Sequence, residues 1–142
     1  MESLLNLKGP CEIHGRFSRC KDAPVGICVW CGRRFCSSHG ERLPDGSEVC
    51  ARENCVAKKL DVAAHVIYKD AAMDRNRGEG YPCGLEGCTS AFETQCSRCR
   101  AYFCRNHLEV HEDTVTEEGM PFRRPVPLCK HCWVRRPIWS KT

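Results

Sequence analysis

Residues 28–39 read CVWCGRRFCSSH, and residues 96–107 read CSRCRAYFCRNH. Cys, Cys, Phe, Cys and His stand at the same offsets in both, 68 positions apart, while the other positions differ. The same offset carries Cys20 onto Cys88. Upstream, GPC ends at Cys11 and YPC at Cys83; downstream, each copy closes with one more pair, Cys50 and Cys55 or Cys129 and Cys132. Copy one is C-x8-C-x7-C-x2-C-x4-C-x2-H-x10-C-x4-C, and copy two is C-x4-C-x7-C-x2-C-x4-C-x2-H-x21-C-x2-C. Together they use all 14 cysteines of the chain.

A repeat that keeps only sulfur, one imidazole and one aromatic ring points to metal. A tetrahedral zinc takes four N or S ligands, and a C-x2-C or C-x2-H knuckle supplies two of them from one tight turn. Four pairs per copy make two sites, so the chain is expected to bind four zinc ions. Phe35 and Phe103, each just before a ligand, are expected to pack on the cluster as a miniature core. Fourteen cysteines in 142 residues would also suit a disulfide framework. Knuckle spacing with a repeated His argues for metal instead, and Cys-His knuckles depart from the usual Cys-only iron–sulfur runs. The opening MESLLNLKGP carries an early Glu2 and no long apolar core of a leader, and no apolar run approaches the length of a membrane span. A soluble intracellular protein, of cytoplasm or nucleus, is expected.

The spacing in CSRCRAYFCRNH followed by PVPLCKHCW resembles the FYVE-type zinc fingers. CGLEGC with the following C-x2-C-x4-C-x2-H block resembles the stress-associated fingers, and B-box fingers share parts of the pattern. The resemblance covers residues 11–55 and 83–132. It implies a RING-like, treble-clef cross-brace, in which the first pair joins the third and the second joins the fourth. Carried over, Cys11, Cys20, Cys36 and His39 share one ion, and Cys28, Cys31, Cys50 and Cys55 the next. Cys83, Cys88, Cys104 and His107 hold the third, and Cys96, Cys99, Cys129 and Cys132 the fourth. His14, in CEIHGRFSRC, rivals Cys11 for its place; the symmetry of the copies favours Cys11. His111 is expected to be exposed, His131 to point outward from its knuckle, and His65 to be solvated.

The fold class that follows is a small metal-stabilised α+β protein: two tandem cross-brace zinc-binding lobes with short hairpins and one helix each. The expected division is 10–56 for lobe one, 57–81 for a helix extension and linker, and 82–136 for lobe two. ERLPDGSEVC reads as a hairpin turning at Pro44-Asp45-Gly46, and copy two has a longer hairpin turning at Glu118-Gly119. From Arg52 to Arg75, Val56, Leu60, Ala64, Ile67 and Ala71 recur at helical spacing and read as a core stripe. RNRGEGYP ends that helix and links the lobes. WVRR reads as a short helix stopped by Pro137.

The formal charge of +4 treats thiols as neutral. Counting fourteen thiolates and four zinc dications turns it into about −2 for the loaded protein. Basic clusters remain at Arg33-Arg34, Arg123-Arg124, and Lys130 with Arg135-Arg136; they suit hydrogen bonds to thiolates or a phosphate-binding face. Closed four-ligand sites leave no open position for catalysis, so no enzyme is expected. The leading reading is a structural-zinc module acting as a protein-interaction adaptor or subunit of a larger assembly. Nucleic-acid binding, on RNA or a ribonucleoprotein, is the alternative, through Arg33, Arg34, Arg123, Arg124, Arg135 and Arg136 with Trp30, Tyr102, Trp133 and Trp139. A ubiquitin-pathway RING-like role is a third. Phosphoinositide binding is disfavoured, because PVGIC and FETQC stand where FYVE fingers carry a basic stretch. Oxidation of zinc thiolates leaves a redox role as the last reading.

Overall fold

The structure is a computed structural model that describes residues 7–14 and 19–141. The opening residues 1–6, on which part of the no-leader expectation rests, and residues 15–18 of CEIHGRFSRC lie outside the described residues. The chain forms two compact units, one of residues 1–61 with 138–142, the other of residues 62–137. It is a small α+β fold of short antiparallel hairpins and few helices.

In the first unit, β1 (Gly26–Ile27) pairs with β2 (Arg34–Phe35), Gly26 opposite Phe35. The knuckle between them is closed by Cys28 N–H donating to Arg33 O at 2.9 Å and Gly32 N–H to Cys28 O at 2.9 Å. A second hairpin, β3 (Gly40–Arg42) with β4 (Glu48–Cys50), turns where the sequence places Pro44-Asp45-Gly46. Gly46 takes φ +92°, and the Asp45 carboxylate accepts the Ser47 N–H at 2.8 Å, an Asx turn. Helix α1 (Glu53–Asn76) follows and carries the chain from the first unit into the second.

The second unit repeats the opening move. β5 (Thr94–Gln95) pairs with β6 (Tyr102–Phe103), Thr94 opposite Phe103, the same register 68 positions on. Its knuckle has the same bonds, Cys96 N–H to Ala101 O at 2.9 Å and Arg100 N–H to Cys96 O at 3.1 Å. Gly32 sits at φ +73°, and its counterpart Arg100 is forced to φ +69°. An arginine in the left-handed region costs about 1–2 kcal/mol; the knuckle geometry imposes it. A 3-10 turn (Arg105–His107) leads into the long hairpin of β7 (Leu108–Glu117) and β8 (Met120–Cys129), closed by Glu118 at φ +50° and Gly119 at φ +79°. Two short helices, α2 (Lys130–Val134) and α3 (Arg136–Ser140), end the fold. The helix read in WVRR ends at Val134, ahead of Pro137, so the proline is not what stops it. It lies in the first turn of α3, where its missing N–H is not needed.

The cores are mostly sulfur. Cys11, Ile13, Cys28, Phe35, Cys36, Cys50 and Cys55 make one; Phe103, Leu128, Ala72, Ala101 and Val126 join six cysteines in the other. Phe35 and Phe103 are both buried against their clusters, as expected. The helical stripe is a correction. Leu60 and Ile67 are 63 % and 72 % exposed, and Ala64 is exposed as well. The inward face carries Cys55, Lys58, Tyr68, Ala72 and Asn76 instead. Both faces have helical spacing, and the inward one is polar because its ends find partners. Asn76 donates to Pro82 O and Tyr102 O at 3.0 and 2.9 Å and accepts the Tyr102 N–H at 2.8 Å. It ties the helix end to β6, so residues 77–81 fall inside the second unit. In the first unit, buried Lys58 lies 5.8 Å from the Trp139 ring, whose Nε1–H donates to Asp61 at 2.6 Å; Trp139 meets Trp30 edge-on at 5.6 Å.

Within the first unit the Phe35 ring lies directly over Gly40, so a Cβ there would overlap it. Gly40→Ala is expected to destabilise the metal-loaded first unit by about 1–3 kcal/mol. A denaturation midpoint equal to that of the wild type would show that Phe35 is not packed on that glycine.

Candidate metal centres

The loops that end each hairpin strand deliver the cysteines. β1 runs into Cys28, β2 into Cys36, β4 ends on Cys50, and the first turn of α1 carries Cys55. In the second unit β5 runs into Cys96, β6 into Cys104, and β8 ends on Cys129, with Cys132 in α2. Placing the last pair at a helix start lets the positive end of the helix dipole favour thiolates.

These side chains gather into four groups, each with its four ligand atoms within 4.8 Å of one another. The first is Cys11, Cys20, Cys36 and His39; the second Cys28, Cys31, Cys50 and Cys55; the third Cys83, Cys88, Cys104 and His107; the fourth Cys96, Cys99, Cys129 and Cys132. The pairs interleave, first with third and second with fourth. His14 is exposed and stands in none of them; Cys11 holds the place.

The repeat persists at atomic scale. His39 Nδ1 lies 3.2 Å from Cys36 Sγ and 3.7 Å from Cys11 Sγ; His107 Nδ1 lies 3.2 Å from Cys104 Sγ and 3.7 Å from Cys83 Sγ. Sulfurs approach to 3.7 Å for Cys20–Cys36, 3.8 Å for Cys88–Cys104, 3.6 Å for Cys28–Cys55 and 3.9 Å for Cys99–Cys129. A disulfide would need about 2.05 Å, and all fourteen cysteines are free. A tetrahedron with metal–sulfur bonds of about 2.3 Å has edges of about 3.8 Å. The donors therefore fit a tetrahedral dication, and each group could hold one. Backbone N–H groups already point at the sulfurs: Cys36 to Cys11 at 3.3 Å, Ile13 to Cys11 at 3.4 Å, and Cys129 to Cys96 at 3.4 Å.

Without an ion, thiols this close cannot all ionise, and their acidities split. Burial works against Cys31, but the Arg33 N–H and the Arg33 and Arg52 guanidinium groups bring it down to about 6. Burial likewise opposes Cys36, while the Ser38 N–H and its own partners bring it to about 7. Burial raises Cys50 to about 11 and pushes Cys55 up further, with the Cys28 thiol adding to it. Hydrogen bonding from Cys132 is the largest influence bringing Cys129 to about 7, and burial first, then the bond to Cys129, raises Tyr68. The Tyr68 hydroxyl donates to Cys129 Sγ at 3.4 Å. Sequence reasoning missed Tyr68: it sits at helical spacing from Ala72, with nothing local to mark it as a thiolate's partner.

Three histidines depart from expectation. His111 is half-buried, stacked on Trp133 at 3.7 Å, with Nε2 3.3 Å from Glu109. His131 does not point outward; its ring stacks on Tyr68 at 3.8 Å. His65 is half-buried and stacks on His131 at 5.2 Å, with the ring nitrogens 3.0 Å apart. Flat rings pack on the apolar floor beside the clusters, which spacing alone does not reveal. Many basic residues are paired too. Arg34 meets Glu12 at 3.4 Å and Arg124 meets Glu117; Arg136 meets buried Asp113 at 2.9 Å while lying 4.4 Å from the Trp133 ring. Asp113 also takes Arg98 at 2.7 Å, so it joins β7 to the knuckle and to Arg136 within the second unit.

Compared with protein-family models, with curated proteins and with solved structures, the chain matches none. The geometry of the clusters therefore carries the reading alone. Among the described residues, no helix is long and apolar enough to cross a membrane.

Two outcomes are expected. Native mass spectrometry should find Cys11→Ser one ion short of the wild type and His14→Ala fully loaded; the reverse would move the ligand to His14. Thiols held near 11, such as Cys50, are protonated at pH 7 and must lose that proton to bind. Loading should therefore release protons, and affinity should fall as pH falls. Calorimetric titration in two buffers of different ionisation enthalpy should give different apparent enthalpies; identical values would refute the proton release.

Proposed function

We propose that the chain is a structural-zinc protein with two tandem cross-brace lobes that binds four zinc ions and acts by recognition, as a protein-interaction adaptor or a subunit of a larger assembly. The observation that carries this reading is closure. All four groups have four protein donors, so a tetrahedral ion in any of them has no position left for water or substrate. Zinc suits a donor set of thiolate and imidazole with tetrahedral edges. In that role it holds the knuckles and fixes the thiolates; the surfaces around it do the binding. The spacing keeps its likeness to FYVE-type and stress-associated fingers, and recognition is the kind of work a rigid metal-folded scaffold does without chemistry of its own.

Nucleic-acid binding loses ground on one specific observation. Arg34, Arg124 and Arg136 are paired with carboxylates, and the Arg33 guanidinium serves Cys31. A phosphate backbone would have to compete for them.

The test is capture of partners by the zinc-loaded chain from lysate of its own host, with and without nuclease. Stoichiometric protein partners that survive nuclease, and whose capture changes little with salt, are expected. Partners that vanish with nuclease would replace this reading with the nucleic-acid one.

A further inference from the structure

The long hairpin of the second unit has one blunted edge and one open edge. Pro121, Pro125 and Pro127 all stand at odd positions of β8. Successive residues in a strand turn their N–H and C=O groups to opposite sides, so the three prolines share one side. That side faces away from β7, because an unbroken register of ten residue pairs joins the two strands. The Ser97 N–H donates to Pro127 O at 2.9 Å, which fills one of the carbonyls turned outward there. β8 therefore offers little to another strand. On β7 the outward residues are the even ones opposite those prolines: Val110 faces Pro127 and Glu112 faces Pro125. Neither is proline, and among the described residues their backbone N–H groups have no bond beyond the hairpin. Val110 is also 68 % exposed.

A cavity of about 540 Å³ opens at the base of the same hairpin. Tyr68, Phe103, Leu128 and Trp133 give it apolar walls. His107 and Lys130 are among its lining residues. His107 turns Nδ1 to the third cluster, so Nε2 lies on the far side of the ring and carries the hydrogen when Nδ1 is a ligand. Among the described residues Nε2 has no acceptor, and Lys130 is exposed without a carboxylate partner. The acid at this site, Glu109, is turned to His111. One free cation and one imidazole N–H suit a single negative charge better than the dense charge of a polyphosphate or nucleic-acid backbone.

We propose that this hairpin and cavity capture the C-terminus of a partner protein: the peptide adds as a strand to the open edge of β7, its terminal carboxylate meets Lys130 Nζ and His107 Nε2–H, and its last side chain, apolar, fills the cavity. This rests on the adaptor reading and names the partner feature it recognises. Backbone pairing supplies affinity in such strand addition, and the pocket supplies selectivity.

The probe is an array of octapeptides of varied sequence ending in Val, Leu or Phe, each made as free acid and as C-terminal amide, tested on the full zinc-loaded chain. 3-Phenylpropionate serves as a small carboxylate control. A subset of free-acid peptides is expected to bind, with at least a tenfold loss on amidation and a similar loss in Lys130→Ala. Glu112→Pro, which places a proline opposite Pro125 and removes only an outward N–H, should abolish peptide binding while native mass spectrometry shows the wild-type metal content. Equal binding of acid and amide, or indifference to both substitutions, overturns the proposal. Binding of 3-phenylpropionate through Lys130 with no peptide bound would assign the cavity to a small carboxylate instead. No binding by any probe, with protein partners still captured from lysate, would leave the adaptor reading standing and place its surface elsewhere.

Discussion

Sulfur atoms 3.6–3.9 Å apart with no bond between them are the constraint on which both units depend. Four donors at that spacing repel if all are thiolates, and their acidities are already far apart: Cys31, against its burial, is brought down to about 6 by the Arg33 N–H and the Arg33 and Arg52 guanidinium groups, while burial raises Cys50 to about 11. A dication resolves that repulsion for all four at once. The strands of the short hairpins are two or three residues long, and two-stranded hairpins are marginal alone. The buried apolar groups are mainly the cysteines themselves, with one Phe at the heart of each core. A structural zinc contributes on the order of 10–16 kcal/mol coupled to folding, more than a small core of this kind supplies.

This division of labour explains how the two copies can share a scaffold and little else. Knuckle bonds, register and His–Cys distances repeat almost to the tenth of an ångström, and the knuckle is stiff enough to hold Arg100 where its counterpart is Gly32. Outside the knuckles the copies part. Gly40 lets Phe35 lie flat across β3, while its counterpart Leu108 starts a strand of ten residues. The extra length between third and fourth pairs in copy two becomes the long hairpin. That hairpin is pinned midway along β7 by Asp113, which meets both Arg98 and Arg136.

The cysteine spacing made the four groups legible, because a knuckle leaves a trace of fixed length in the chain. Turns were legible at Pro44-Asp45-Gly46 and Glu118-Gly119 for a similar reason: each rests on local backbone chemistry. The existence of α1 could be read, but not which face it buries. Leu60 and Ile67 form a regular apolar row, yet the row turned inward is Cys55, Lys58, Tyr68, Ala72 and Asn76. Hydrophobic periodicity assumes that burial follows apolarity. Here the inward residues are chosen for what their polar ends reach, a thiol for Tyr68 and two carbonyls for Asn76. The histidines misled in the same way. His111 reads as exposed because Cys129 and Cys132 complete the site beside it, His131 as pointing outward from its knuckle and His65 as lying off the helical stripe, but their rings are flat surfaces that pack where aliphatic residues are scarce.

The paired arginines complete the argument about recognition. A basic cluster in sequence suggests an anion outside, but in this fold partners for several of these arginines lie within the chain. Arg33 and Arg52 turn to Cys31, Arg136 to Asp113 and to the Trp133 ring. Charge that serves the scaffold cannot also define the ligand. What is left to define it is Lys130 and geometry: one strand edge carrying three prolines of the same parity, outward N–H groups on the opposite edge, and a cavity at its foot. Closing one edge of a two-stranded hairpin limits indiscriminate strand pairing there and leaves the other edge as the side to which a strand can add.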